Sequence, residues 1–104
     1  MKGIYLIKQG PADQAFEMRE MQLAEPKPTE VLIKVSHFGL NYADVMARLG
    51  LYNDCPPLPC VLGYEAVGHI LKKGSEVKNL SEGDLVLAFT KFGGYADHLV
   101  ADQL

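Results

Sequence analysis

Apolar and polar positions alternate along most of the chain, and that alternation predicts short strands rather than helices. Lys2 to Lys8 places Ile4 and Leu6 against Tyr5 and Ile7, apolar on both faces, and reads as a first strand. Ala15 to Leu23, with Phe16, Met18, Met21 and Leu23, reads as a strand containing an irregularity. Val31 to Phe38 is the clearest strand. It sets Val31, Ile33, Val35 and His37 on one face and Leu32, Lys34, Ser36 and Phe38 on the other. His37 is therefore expected as a partly buried, hydrogen-bonded strand residue rather than a ligand. Cys60 to Lys73 reads as a strand broken near its start, with Gly63 and Gly68 at positions of close approach. Leu85 to Phe89 and Tyr95 to Val100 are expected to pair as a hairpin around Lys91–Gly94.

Turn residues separate these runs. Gly10-Pro11-Ala12-Asp13 predicts a turn, as do Lys73-Gly74-Ser75 and Ser81-Glu82-Gly83-Asp84. Pro26 and Pro28 remove backbone donors, so Glu25 to Glu30 is a connector. Val77 and Leu80 anchor a polar loop. One stretch carries helical period instead. Asn41 is a helix cap and Asp44 falls in the first turn, where the helix dipole favours a carboxylate. Tyr42, Val45, Met46 and Leu49 follow at i, i+3, i+4 and i+7, which predicts a buried stripe. Gly50 supplies the left-handed stop. At two turns, the helix needs packing on the sheet to persist. Tyr52 to Pro59 is a loop stiffened by Pro56, Pro57 and Pro59.

The bulk properties narrow the function classes. The chain has 104 residues, ten Gly, six Pro and a formal net charge of −3, which suits a single domain over residues 1–104 with many turns. The lysines are scattered without a basic stripe, so nucleic acid is not an expected partner. No apolar run approaches the roughly 18 residues of a membrane span, and the N-terminus reads as a strand rather than a signal peptide. Cys55 and Cys60 do not form a zinc pattern. A disulfide across their loop stays open, but two free thiols in a reducing compartment, the cytoplasm, is the reading adopted.

The segment Gly39 to Gly68, GLNYADVMARLGLYNDCPPLPCVLGYEAVG, resembles the medium-chain dehydrogenase/reductase superfamily. GSEVKNLSEGDLV at Gly74–Val86 and FGGYADHLVAD at Phe92–Asp102 agree with it in order and spacing. The resemblance is to the GroES-like part of that family's first domain. It implies a mainly β fold, a GroES-like partly open β-barrel with one or two short helices. The zinc alcohol dehydrogenases of the family carry Cys and His where this chain has Asn41 and Tyr64, and neither replaces a thiolate and an imidazole on zinc. Their four-cysteine structural zinc lobe is missing too. The resemblance is therefore to the zinc-independent quinone oxidoreductase branch, with Asn41, Arg48-x-Gly50-x-Tyr52 and Pro57-x-Pro59 as its marks.

In such enzymes a cleft between this domain and a nucleotide-binding domain holds NADPH. The resemblance implies that Asn41 and Tyr52 face the nicotinamide, that Tyr42 and Met46 line the cleft, and that Tyr52 is the candidate for a catalytic contact. Each has a purely structural reading. Asn41 is explained by capping alone, and Met46 suits a core position. Nothing structural demands a phenol at 52, and Glu65 reads as a structural carboxylate paired to a donor. The strand–glycine-rich turn–helix of a Rossmann domain does not occur in these 104 residues. The expected function is thus the N-terminal portion of an NADPH:quinone oxidoreductase-like enzyme, passing hydride to a quinone or activated alkene and inactive alone. The alternative is a free-standing GroES-like interaction or structural module. Uncovered strand edges predict a homo-oligomer.

Overall fold

The computed structural model describes residues 1–103. The strands are β1 (Lys2–Leu6), β2 (Phe16–Glu20), β3 (Glu30–Phe38), β4 (Cys60–Val61), β5 (Glu65–Lys73), β6 (Leu85–Phe89) and β7 (His98–Asp102). Two short helices, α1 (Ala12–Ala15) and α2 (Tyr42–Arg48), interrupt them. All pairing is antiparallel. One sheet runs β2-β1-β4 and the other β6-β5-β3-β7.

The sheets meet along the approach to β7. Ile4 donates its N–H to the Tyr95 carbonyl (2.8 Å), and a bridge joins Gly3 to Ala96. Asp97 closes the seam: its side chain accepts from the Lys2 N–H (2.9 Å), and its carbonyl accepts from Val35 (2.8 Å). The result is a partly open, mainly β barrel with two short helices, as the sequence led one to expect. Ile33 and Ile70 are fully buried in the four-stranded half, packed with Val31, Ala66, Val77 and Leu99. Each such side chain contributes roughly 1.5–3 kcal/mol relative to exposure. Leu6, Ala15, Ala47, Leu62 and Tyr95 form a second core under α2.

Several local expectations are corrected. Gly10–Asp13 is not a plain turn: the Pro11 carbonyl accepts from Gln14 and Ala15 (3.0 Å each) and starts α1. The alternation predicted for β3 fails because its register with β5 shifts twice, between Leu32/Ile33 and between Val35/His37. Such irregularities re-aim side chains. Leu32 is buried and His37 is exposed, with its Nδ1 3.2 Å from Ser36 Oγ. The hairpin of 85–89 with 95–100 does not form. Phe92 and Gly93 both adopt positive φ (72° and 95°), and the loop is stitched to 61–63 by Gly93 N–H to Val61 and Tyr95 N–H to Leu62. That carries the chain across the first sheet, and β7 pairs with β3 instead.

The strand predicted over 60–73 is divided into β4 and β5, with Gly63 at the break. Its φ is 106°, and a Cβ there would meet Gly94 Cα and Tyr95 Cδ1, each at 2.8 Å. Gly68 lies so close to the Lys34 carbonyl that any side chain would collide with it. Both close-approach positions read from the sequence are therefore real.

Candidate functional site

Helix α2 begins where the sequence placed it. Asn41 is the N-cap, and Asp44 at the third helical position completes a capping box, its Oδ2 accepting the Asn41 N–H at 3.0 Å. Gly50 follows the helix with φ 78°. The face that packs inward is not the predicted apolar stripe. Asp44 (5% exposed) and Ala47 are buried, whereas Tyr42 is 77% exposed and Val45 and Leu49 also face outward. Met46 is half-buried.

Polar anchors cause this inversion. The Tyr95 hydroxyl donates to Asp44 Oδ2 at 2.6 Å. Arg48 Nη1 donates to the Gly10 carbonyl at 2.8 Å, and the Gly10 N–H returns a bond to the Arg48 carbonyl at 2.9 Å. Burial, then the Asp44 hydrogen bond and charge, push the Tyr95 phenol well above the usual tyrosine range. Asp44 Oδ1 is buried without a hydrogen-bond partner among the described residues. It lies at a hollow of about 250 Å³ lined also by Phe16, Leu40, Val45 and Tyr95.

The predicted site residues divide into two groups. Asn41 and Tyr52 are held by consecutive residues at the start of β5. Asn41 Nδ2 donates to Glu65 Oε1 at 3.4 Å, and the Tyr64 hydroxyl donates to the Tyr52 hydroxyl at 2.8 Å. Both Asn41 and Tyr52 are half-buried, so each is fixed yet reachable. Phe92 packs against Tyr52 and Tyr64, with ring centroids 6.4 and 5.5 Å away. Burial, followed by the Tyr52 hydrogen bond, raises the Tyr64 phenol above its ordinary range. Tyr42 and Met46 sit on α2 outside this hydrogen-bonded pair of anchors.

Tyr64, Phe92 and Tyr95 were not singled out from the sequence as site residues. Tyr64 had one signal, its place beside Glu65 in the position of a zinc ligand in related enzymes. Phe92 and Tyr95 gave none, because the loop that presents them was read as a hairpin. A hollow of about 300 Å³ lies elsewhere, between the sheets at Gly3, Val35 and Tyr95. It is mainly apolar and includes neither Asn41 nor Tyr52.

Comparison with known proteins agrees with this fold. The alcohol dehydrogenase GroES-like domain matches residues 27–103. The chain belongs to that family. Within this GroES-like family it is 39% identical over 92 residues to the quinone oxidoreductase of Pseudomonas aeruginosa, a match covering 86% of the chain and 28% of the relative. The solved structure of human synaptic vesicle membrane protein VAT-1 homolog-like protein superposes with a TM-score of 0.91 at 29% identity, over 98% of this chain and 33% of that one. Escherichia coli quinone oxidoreductase complexed with NADPH superposes with a TM-score of 0.86 at 32% identity, over 97% and 31%. The GroES-like chain thus spans about a third or less of the length of these relatives. The likeness to quinone oxidoreductases seen in the sequence holds.

Proposed function

We propose that this GroES-like domain supplies the substrate-side wall of a zinc-independent, NADPH-dependent reductase acting on a quinone or an activated alkene. The observation that carries the reading is the paired tethering of Asn41 by Glu65 and of Tyr52 by Tyr64. It leaves an amide and a phenol each fixed by a hydrogen bond and half-exposed. The similarity to quinone oxidoreductases supports the same reading.

The residues fit a reduced nicotinamide cofactor as one wall of its site. The Asn41 amide offers both a donor and an acceptor to a carboxamide. The Tyr52 oxygen accepts from Tyr64, so its own O–H remains available to a carbonyl oxygen of the substrate. Tyr42 and Met46 offer flat or flexible apolar surface that excludes water from the reacting carbon. The cofactor, when bound, supplies the hydride. Tyr52 orients the acceptor and stabilises negative charge developing on its oxygen. Asn41 and Tyr64 are engaged with Glu65 and Tyr52 respectively, which suits a site that works without zinc. The free thiols Cys55 and Cys60 suit a cytoplasmic setting.

The test is a chimera in which these 104 residues replace the matching portion of the Escherichia coli quinone oxidoreductase. A folded chimera that binds NADPH is expected to reduce a quinone. Tyr52→Phe and Asn41→Ala should each lower kcat/KM about tenfold, roughly 1.4 kcal/mol of transition-state stabilisation. Unchanged kcat/KM in both variants would remove these residues from the site.

A further inference from the structure

The strands at the sheet ends differ in how they are guarded. β2 carries Glu17, Arg19 and Glu20, β7 carries His98 and Asp102, and β4 is two residues long. Charge and shortness keep a strand edge from pairing. β6, Leu85-Val86-Leu87-Ala88-Phe89, ends the four-stranded sheet without a charged residue.

The backbone of β6 is divided by parity. At one end the Asp84 carbonyl accepts from the Ile70 N–H (3.0 Å), and at the other the Thr90 N–H donates to the Tyr64 carbonyl (2.8 Å). Asp84, Val86, Ala88 and Thr90 therefore turn their backbone polar groups toward β5. Alternation leaves the N–H and C=O of Leu85, Leu87 and Phe89 on the open edge. The same three residues carry the exposed side chains, whereas Ala88 is buried and Val86 packs on the core.

We propose that β6 is the docking strand for a second copy of this chain, paired antiparallel to the β6 of that copy about a two-fold axis through Leu87. Leu87 of each copy lies opposite Leu87 of the other, and Leu85 lies opposite Phe89. Each residue with open backbone groups then faces another, and N–H meets C=O throughout. A register shifted by one residue would set Leu87 against Val86 or Ala88, whose groups already serve β5. Residues directly opposite share a face, so the exposed side chains of both copies join in one apolar band. Charge selects the same direction. Exposed Glu82 and Asp84 precede the strand, and exposed Lys91 follows it. Antiparallel pairing brings Lys91 of each copy to the acidic end of the other, whereas parallel pairing would bring like charges together. One strand edge with three side chains covers less than the roughly 800 Å² per partner of a standard interface, so the dimer forms and dissociates with concentration. The pairing is independent of the reductase reading, because β6 contains none of Asn41, Tyr52 and Tyr64.

Amide hydrogen exchange of the native chain, read by NMR at low and high concentration, tests the pairing. The Val86 and Ala88 amides should be protected at both. The Leu85, Leu87 and Phe89 amides should exchange fast in dilute solution and slow by about tenfold or more where sedimentation equilibrium shows a dimer. Leu87→Pro removes only an outward N–H, which an edge strand tolerates. It should abolish the dimer and leave the far-ultraviolet circular dichroism unchanged. Lys91→Glu reverses two symmetry-related rim pairs at once and should weaken the dimer about tenfold. Adding Glu82→Lys should recover part of that loss. A monomer at every concentration, a dimer in which the Leu85, Leu87 and Phe89 amides stay fast, or no recovery in the double variant would each overturn the proposal. Exchange in the unsubstituted chain decides the matter even if the Leu87 variant does not fold.

Discussion

The Tyr64 hydroxyl donates to the Tyr52 hydroxyl across 2.8 Å, and that bond fixes the direction in which Tyr52 can act. The protonated form of Tyr64 is the donor, so its phenol is held above the ordinary value of 10.0 by burial and by Tyr52. Tyr95 is raised likewise by burial and Asp44.

Two of the five tyrosines should therefore titrate late in an ultraviolet phenolate titration. The sign for stability follows. Both folded values exceed the unfolded one, so the contribution is complete below pH 10 and is lost as pH rises through the folded values. Tyr52→Phe removes the acceptor and should bring Tyr64 down while leaving Tyr95 late. Five tyrosines titrating together near 10 would contradict the geometry.

Asp44 and Tyr95 make the second prediction. Their 2.6 Å bond joins α2 to the segment entering β7 in a buried setting. Tyr95→Phe should destabilise the fold by about 1.5–3 kcal/mol, the cost of losing a hydrogen bond to a charged group. Asp44→Ala should cost at least as much, because it also strips the Asn41 N–H of its partner. Urea denaturation with an unchanged m-value is the measurement. A loss under about 0.5 kcal/mol in both, the size of an ordinary surface substitution, would mean that the bond does not hold the helix.

This pair also explains what could be read from the sequence. The strands, the Asn41 cap, the Gly50 stop and the close-approach glycines follow from local rules. The orientation of α2 does not. Its apolar stripe looked like a core face, but Asp44 and Arg48 find partners in Tyr95 and the Gly10 backbone, tens of residues away in the chain. Those bonds turn Asp44 and Ala47 inward and leave Tyr42 outside. The register shifts of β3 and the path of 91–95 are likewise set by long-range pairing. Asn41 and Tyr52 were legible as candidates, but Tyr64 as the group that holds Tyr52 required the fold.

The third prediction concerns the edge strand β6. Leu85, Leu87 and Phe89 are 63%, 58% and 74% exposed, alternate along one face, and lie at the end of the four-stranded sheet. An apolar edge strand of this kind invites pairing with another copy. The purified chain should self-associate with concentration in sedimentation velocity, and Leu87→Lys should shift it toward monomer. A single monomeric species at high concentration would contradict this.

The central claim is the proposal that Asn41 and Tyr52 form one wall of a dinucleotide site, a wall that cannot hold the dinucleotide alone because these 104 residues carry no strand–glycine-rich turn–helix for its phosphates. An NMR titration of the isotopically labelled chain with NADPH tests it most directly. The account predicts no saturable binding, with amide shifts at Asn41 and Tyr52 that stay small and linear into the millimolar range. Saturation at micromolar NADPH, with Asn41 and Tyr52 among the perturbed residues, would contradict it.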